Sequence, residues 1–102
     1  MIDVTPKELA LVQDILRTGL PHGAAKVWAF GSRAKGTAKR GSDLDLAIDT
    51  GLPLPFSAKV HLAEAFEEAP LPFRVDIVDL FTVSPEFRAL IDAHKLPLPG
   101  FE

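Results

Sequence analysis

Two short apolar runs bracket a basic, glycine-punctuated segment, and this pairing constrains the fold more than any other stretch of the chain. They are residues 25 to 30 (Ala-Lys-Val-Trp-Ala-Phe) and 44 to 49 (Leu-Asp-Leu-Ala-Ile-Asp). In the second run Leu44, Leu46 and Ile48 alternate with Asp45, Ala47 and Asp49, the period of two of a strand with one buried face. The first run reads as a strand ended by Gly31. Between them, residues 32 to 38 are expected to wind into two helical turns, bounded by Gly36 and Gly41. A third strand is expected at residues 73 to 80 (Phe-Arg-Val-Asp-Ile-Val-Asp-Leu).

Helices fill the intervals. Thr5-Pro6-Lys7-Glu8 has a capping threonine, a first-turn proline and a glutamate three residues on. Leu9, Val12 and Leu16, flanked by Ile15, give that helix an apolar stripe, and Gly19 and Pro21 end it. Ser57 is expected to cap a second long helix with Val60, Ala63 and Phe66 inward, closed by Pro70 and Pro72. Ser84-Pro85 opens a last helix with Phe87, Leu90 and Ile91 as its apolar side. The proline-rich tail from residue 96 onward is expected to be extended or mobile. The result is a small α/β (α+β) fold: about three or more strands in a mixed sheet with helices packed against it.

At 102 residues, with 47% apolar and 25% charged side chains, the chain is expected to make one domain, residues 1–102. No apolar run reaches membrane-spanning length and no leader pattern opens the chain, so a cytoplasmic location is expected. Without cysteine there is no thiolate metal site and no thiol nucleophile. The net charge of −3 argues against a nucleic-acid binder. Its distribution is more informative: Arg33, Lys35, Lys39 and Arg40 are four of the eleven basic residues, and none of the fourteen acids lies among them. A compact positive patch on an acidic body suits one small polyanion.

The acids that open the second strand complete the chemistry. Asp43 and Asp45 are two residues apart on one face, with Cα atoms roughly 6.6 Å apart. Such a pair can steady two divalent ions across an in-line phosphoryl transfer. Mg²⁺ is the expected ion, since it takes a few carboxylates plus phosphate oxygens and water. Gly31 and Ser32 offer a close backbone approach, free amides and a hydroxyl to a phosphate. Arg33, Lys35 and Arg40 are candidates for the outer phosphates, with no order among them. The histidines, His22, His61 and His94, show no metal spacing.

Gly31-Ser32, ten residues, then Asp43-Leu44-Asp45 resembles the signature of polymerase-beta-like nucleotidyltransferases. The segments Phe30-Gly31-Ser32-Arg33-Ala34-Lys35-Gly36 and Ser42-Asp43-Leu44-Asp45-Leu46 look most like the minimal nucleotidyltransferase branch. The resemblance spans about residues 25 to 80 and implies a third catalytic carboxylate on a later strand, which the family pattern places at Asp76 rather than Asp79. It further implies that Asp43, Asp45 and Asp76 are both catalytic and metal-binding, with two Mg²⁺ ions and ATP as donor. On this reading the chain moves AMP to a hydroxyl of a partner protein with release of pyrophosphate. Members of this branch are typically paired with a helical HEPN-family protein, and some act as antitoxins by adenylylating a tyrosine of that toxin. This chain has no tyrosine, so such an acceptor has to come from a partner. The alternative is a non-catalytic antitoxin or regulatory module that neutralises its partner by binding alone.

Overall fold

A computed structural model describes residues 1–20 and 25–102. The elements run α1 (Pro6–Gly19), β1 (Lys26–Phe30), α2 (Ser32–Lys35), β2 (Leu44–Asp49), α3 (Phe56–Glu68), β3 (Val75–Asp79), α4 (Pro85–His94) and β4 (Leu96–Pro97). The strands form one mixed sheet in the order β3-β2-β1-β4. β1 is antiparallel to β2 and to β4. β2 and β3 are joined through α3, and this helical crossover makes them parallel.

α1 forms as its capping residues dictate. Thr5 Oγ1 accepts from the Glu8 amide at 3.1 Å, while Glu8 Oε1 accepts from the Thr5 amide at 2.8 Å. The helix stops at Gly19; Pro21 and His22 lie outside the described residues. Gly19 also lets α3 approach, for a Cβ there would stand 2.5 Å from Leu62 Cδ2.

The sheet is covered on both faces, whereas the alternation in β2 predicted one buried face. Leu44, Leu46 and Ile48 pack with Val27 and Ala29 against Val12 and Leu16 of α1 and Leu62 and Phe66 of α3. Burying each such aliphatic side chain stabilises the fold by roughly 1.5–3 kcal/mol. On the opposite face Ala47 is fully buried with Leu80 and Ile91, beside the partly buried Trp28, Phe30 and Val78. Across that face α4 buries Ile91, and Phe87 meets the Phe30 ring edge-on with centroids 6.0 Å apart; Leu90, 71% exposed, departs from the apolar side expected of it.

Two other local expectations change, and a third is narrowed. The helix after Gly31 is one turn rather than two, because Gly36 adopts a left-handed conformation (φ 79°) and caps it. α3 begins at Phe56 behind Pro55, with Ser57 inside the helix, and buries Leu62 with Phe66 while Ala63 faces outward. The tail takes the extended of its two expected forms: Leu96 and Pro97 pair with β1, and Leu98 and Phe101 are buried. The Leu98 amide donates to the Val27 carbonyl at 2.8 Å and the Val27 amide to the Phe101 carbonyl at 2.9 Å.

Candidate functional site

The sheet register decides which acids meet. Asp45 in β2 lies directly opposite Asp76 in β3, and opposite Phe30 in β1 on its other side. Neighbouring strands sit about 4.8 Å apart, and side chains at paired positions share a face. Asp76, the first acid of β3, therefore stands beside Asp45. Asp79 does not: it is buried, its Oδ2 accepting from the Leu54 amide at 2.8 Å and its Oδ1 from the Phe81 amide at 3.0 Å. Those bonds tie the connection after β2 to the end of β3. Asp49, further along β2, accepts from the Gly51 amide at 2.9 Å in a local turn.

Asp43 stands exposed just before β2 and Asp45 is partly buried within it. Burial pushes the Asp45 carboxyl above its ordinary value of 3.8, and the charges of Asp76 and then Asp43 push it the same way. No described side chain forms an ion pair with any of these three acids. As the side chains lie, no three carboxylate or imidazole groups among the described residues close around a single point. The acids form an open row of hard oxygen donors whose mutual repulsion no ion pair among the described residues offsets. Such a row fits a Mg²⁺-type cation, which completes its shell with water and phosphate oxygens.

That imbalance has a measurable consequence. A carboxyl whose pKa is raised by folding binds its proton more tightly in the folded state. Its ionisation therefore costs stability at neutral pH, and the cost fades as pH falls through the raised value toward 3.8. Without divalent ions, Asp45→Asn is expected to raise the melting temperature at pH 7 by about 2–4 °C, with the gain shrinking near pH 4. Thermal melts of both proteins across that range check it.

Gly31 sits against the same row. Its φ of 73° and ψ of −157° favour glycine, and a Cβ there would overlap Asp45 Oδ2. The sequence suggests that the missing side chain makes room for a ligand; the structure shows that it also makes room for the acid. After Gly31 the chain enters α2, whose first two amides, on Ser32 and Arg33, have no acceptor within the helix. Ser32 is partly buried beside them, and Lys35 and Arg40 are exposed. Neither Lys35 nor Arg40 forms an ion pair with a described residue.

Arg33 departs from the expectation that it binds nucleotide. It is 8% exposed, its Nε donates to the Ser42 carbonyl at 2.8 Å and its Nη1 to the Asp3 carbonyl at 2.7 Å. The guanidinium carbon also lies 4.3 Å from the centroid of the Phe73 ring. Its charge is committed to joining the N-terminal segment, the turn at residues 39–42 and the approach to β3. The turn is closed by the Lys39 amide donating to Ser42 Oγ and the Ser42 amide donating to the Lys39 carbonyl. Arg33 thus fixes the residue before Asp43. Its partners lie 9, 30 and 40 positions away, and no local pattern in the sequence announces them.

Adjacent acids on parallel strands, beside a glycine-bent turn on a small mixed sheet, define a class of domain suited to phosphate and cation chemistry. The Polymerase beta, Nucleotidyltransferase family matches residues 13–96, and the chain belongs to that family. A relative from Haemophilus influenzae, described as a probable protein adenylyltransferase MntA, is 51% identical over 90 residues, 88% of this chain and 77% of the relative. A solved toxin–antitoxin structure with AMP-PNP superposes with a TM-score of 0.75 at 29% identity, over 90% of this chain and 73% of that one. A complex of a tri-AMPylated Shewanella oneidensis HEPN toxin with an MNT antitoxin shares the fold, with a TM-score of 0.68 at 23% identity over 92% of this chain and 71% of that one. Among the described residues no helix is long and apolar enough to cross a membrane.

Proposed function

We propose that this chain is a protein adenylyltransferase that acts as the antitoxin of a helical HEPN-family partner. It transfers AMP from ATP to a partner hydroxyl and releases pyrophosphate. The observation that carries this reading is the pairing of Asp45 with Asp76 across β2 and β3, with Gly31 pressed against Asp45. The similarity to MntA and to toxin–antitoxin structures supports the choice of donor and partner.

Asp43 and Asp45 would hold divalent cations, Mg²⁺ by the hardness of their oxygens, and Asp76 would complete the set on the neighbouring strand. Cations bound there would neutralise charge on the triphosphate and on the transition state of the in-line transfer. Gly31 and Ser32 offer backbone amides and a hydroxyl to the outer phosphates, and Lys35 and Arg40 provide mobile positive charge outside them. Arg33 acts at one remove, by fixing the turn that presents Asp43. Asp76 accepts the proton of the incoming hydroxyl.

Incubation with ATP, Mg²⁺ and the cognate partner, followed by intact-mass measurement, tests this directly. The partner gains one or more adenylate masses, and omission of Mg²⁺ abolishes the gain. A partner neutralised with no change of mass overturns the catalytic reading in favour of binding alone.

A further inference from the structure

We propose that Arg33 and Phe73 act as a pair of positioning residues for the cation row, holding Asp43 in place against Asp76 and so setting the affinity for divalent ions. The inference rests on the transferase reading above and adds a pair of residues that touches neither ion nor nucleotide. Three segments distant in sequence meet at the Arg33 guanidinium. Its Nε donates to the Ser42 carbonyl, its Nη1 to the Asp3 carbonyl, and the Phe73 ring centroid lies 4.3 Å from its central carbon. Asp3 returns the contact, its amide donating to the Arg33 carbonyl at 2.9 Å.

These contacts close a circuit around Asp43. Ser42, the residue before it, is held by Arg33. Leu44, the residue after it, donates its amide to the Arg74 carbonyl at 2.8 Å. Arg74 in turn follows Phe73, whose ring faces the guanidinium, and Asp76 comes two residues later. Ser42 has little slack within this ring, since its amide donates to the Lys39 carbonyl and its Oγ accepts from the Lys39 amide. A change in the contact between Arg33 and Phe73 therefore shifts the entry to β2 against the entry to β3. That shift is a change in how Asp43 stands relative to Asp76.

The support comes from behind the row. Phe73 packs in the core with Leu44 and Leu46, whereas alternation along the paired strands turns Asp45 and Asp76 to the opposite face. Arg33 is 8% and Phe73 7% exposed, so neither offers a surface on which a triphosphate could lie. The role suits arginine and not lysine. A planar guanidinium donates in two directions while stacking on a ring, and an ammonium is a single point charge. Groups that orient metal-binding side chains, when lost, typically weaken metal binding by about tenfold or more.

The test uses Mn²⁺ alone as the probe, its binding followed by the electron paramagnetic resonance signal of the free ion. Arg33→Lys is expected to weaken Mn²⁺ binding about tenfold, and Phe73→Leu, which keeps apolar volume but removes the ring, about threefold. The double variant is expected to bind within about twofold of Arg33→Lys, because both changes break one contact. Circular dichroism confirms folding, and Phe73→Leu decides the matter should Arg33→Lys not fold. In transfer assays saturating Mg²⁺ restores kcat in the folded variants, with KM for ATP unchanged. Mn²⁺ binding as tight as in the wild type overturns the proposal, and losses that multiply in the double variant overturn the pairing. A raised KM for ATP that saturating Mg²⁺ does not correct also overturns it, since Arg33 would then hold the triphosphate. Wild-type protein that binds no Mn²⁺ overturns this proposal and the cation row together. Failure of the transferase reading shows separately, as wild-type protein that binds Mn²⁺ yet leaves the partner unmodified, and the Mn²⁺ comparison still decides the role of Arg33 and Phe73.

Discussion

Asp43→Asn and Asp45→Asn are each expected to lower adenylate transfer by at least about a thousandfold, a loss of roughly 4 kcal/mol in transition-state stabilisation. The size follows from what asparagine removes. It keeps the shape of the side chain and one oxygen but takes away the charge that holds a divalent cation, and two-metal phosphoryl transfer places much of its catalysis in those cations. The fold should survive both changes, since Asp43 is exposed and the Asp45 carboxyl is strained by burial and by its neighbours' charges. The Asp45 variant thus combines higher thermal stability without metal with almost no activity. Rates from single-turnover assays, beside melting curves of the same samples, check both halves. A variant that transfers at a tenth of the wild-type rate would place the cations elsewhere.

Gly31→Ala should be nearly as damaging, and its contrast with Gly36→Ala isolates the reason. Both glycines have positive φ, 73° and 79°, so both substitutions carry a backbone penalty of about 1 kcal/mol. Only at Gly31 does an added Cβ meet anything: it overlaps Asp45 Oδ2, whereas at Gly36 nothing lies within 4 Å. Gly31→Ala has to displace either the turn or the acid, and a shift of about 1 Å at such a site costs on the order of a hundredfold in rate. Gly36→Ala should lose stability and keep transfer within about threefold. Parallel measurement of transfer rate and denaturant midpoint for the two variants separates positional damage from backbone strain. Equal loss of rate in both would mean that contact with Asp45 is irrelevant.

Much of this organisation was legible in the chain because it is local. The alternation of Leu44, Leu46 and Ile48 marked β2, Thr5 and Glu8 marked the start of α1, and the Gly-Ser turn followed by Asp-Leu-Asp marked the candidate site. What was hidden depends on elements far apart in sequence. Ala47 lies on the face that alternation assigns to polar residues, yet it is buried because Ile91 of α4 covers it. The proline-rich tail reads as extended or mobile, and nothing local shows that Leu96 and Pro97 pair with β1 and that Leu98 enters the core. Arg33 reads as one of four surface cations in a basic run, and only the folded chain brings Asp3, Ser42 and Phe73 around it. The choice of Asp76 over Asp79 rests on family resemblance; the register, which no local pattern announces, sets Asp76 opposite Asp45 while Asp79 is held by two backbone amides.

All of this rests on cations and a triphosphate gathering along the row formed by Asp43, Asp45 and Asp76. The most direct measurement is the anomalous scattering of Mn²⁺ in a crystal grown with a non-hydrolysable ATP analogue. The account predicts manganese peaks among those three carboxylates, with the outer phosphates at the Gly31–Ser32 turn and the α-phosphorus facing Asp76. Manganese bound away from Asp45, or a triphosphate lying on the β3 side of the row, would contradict it.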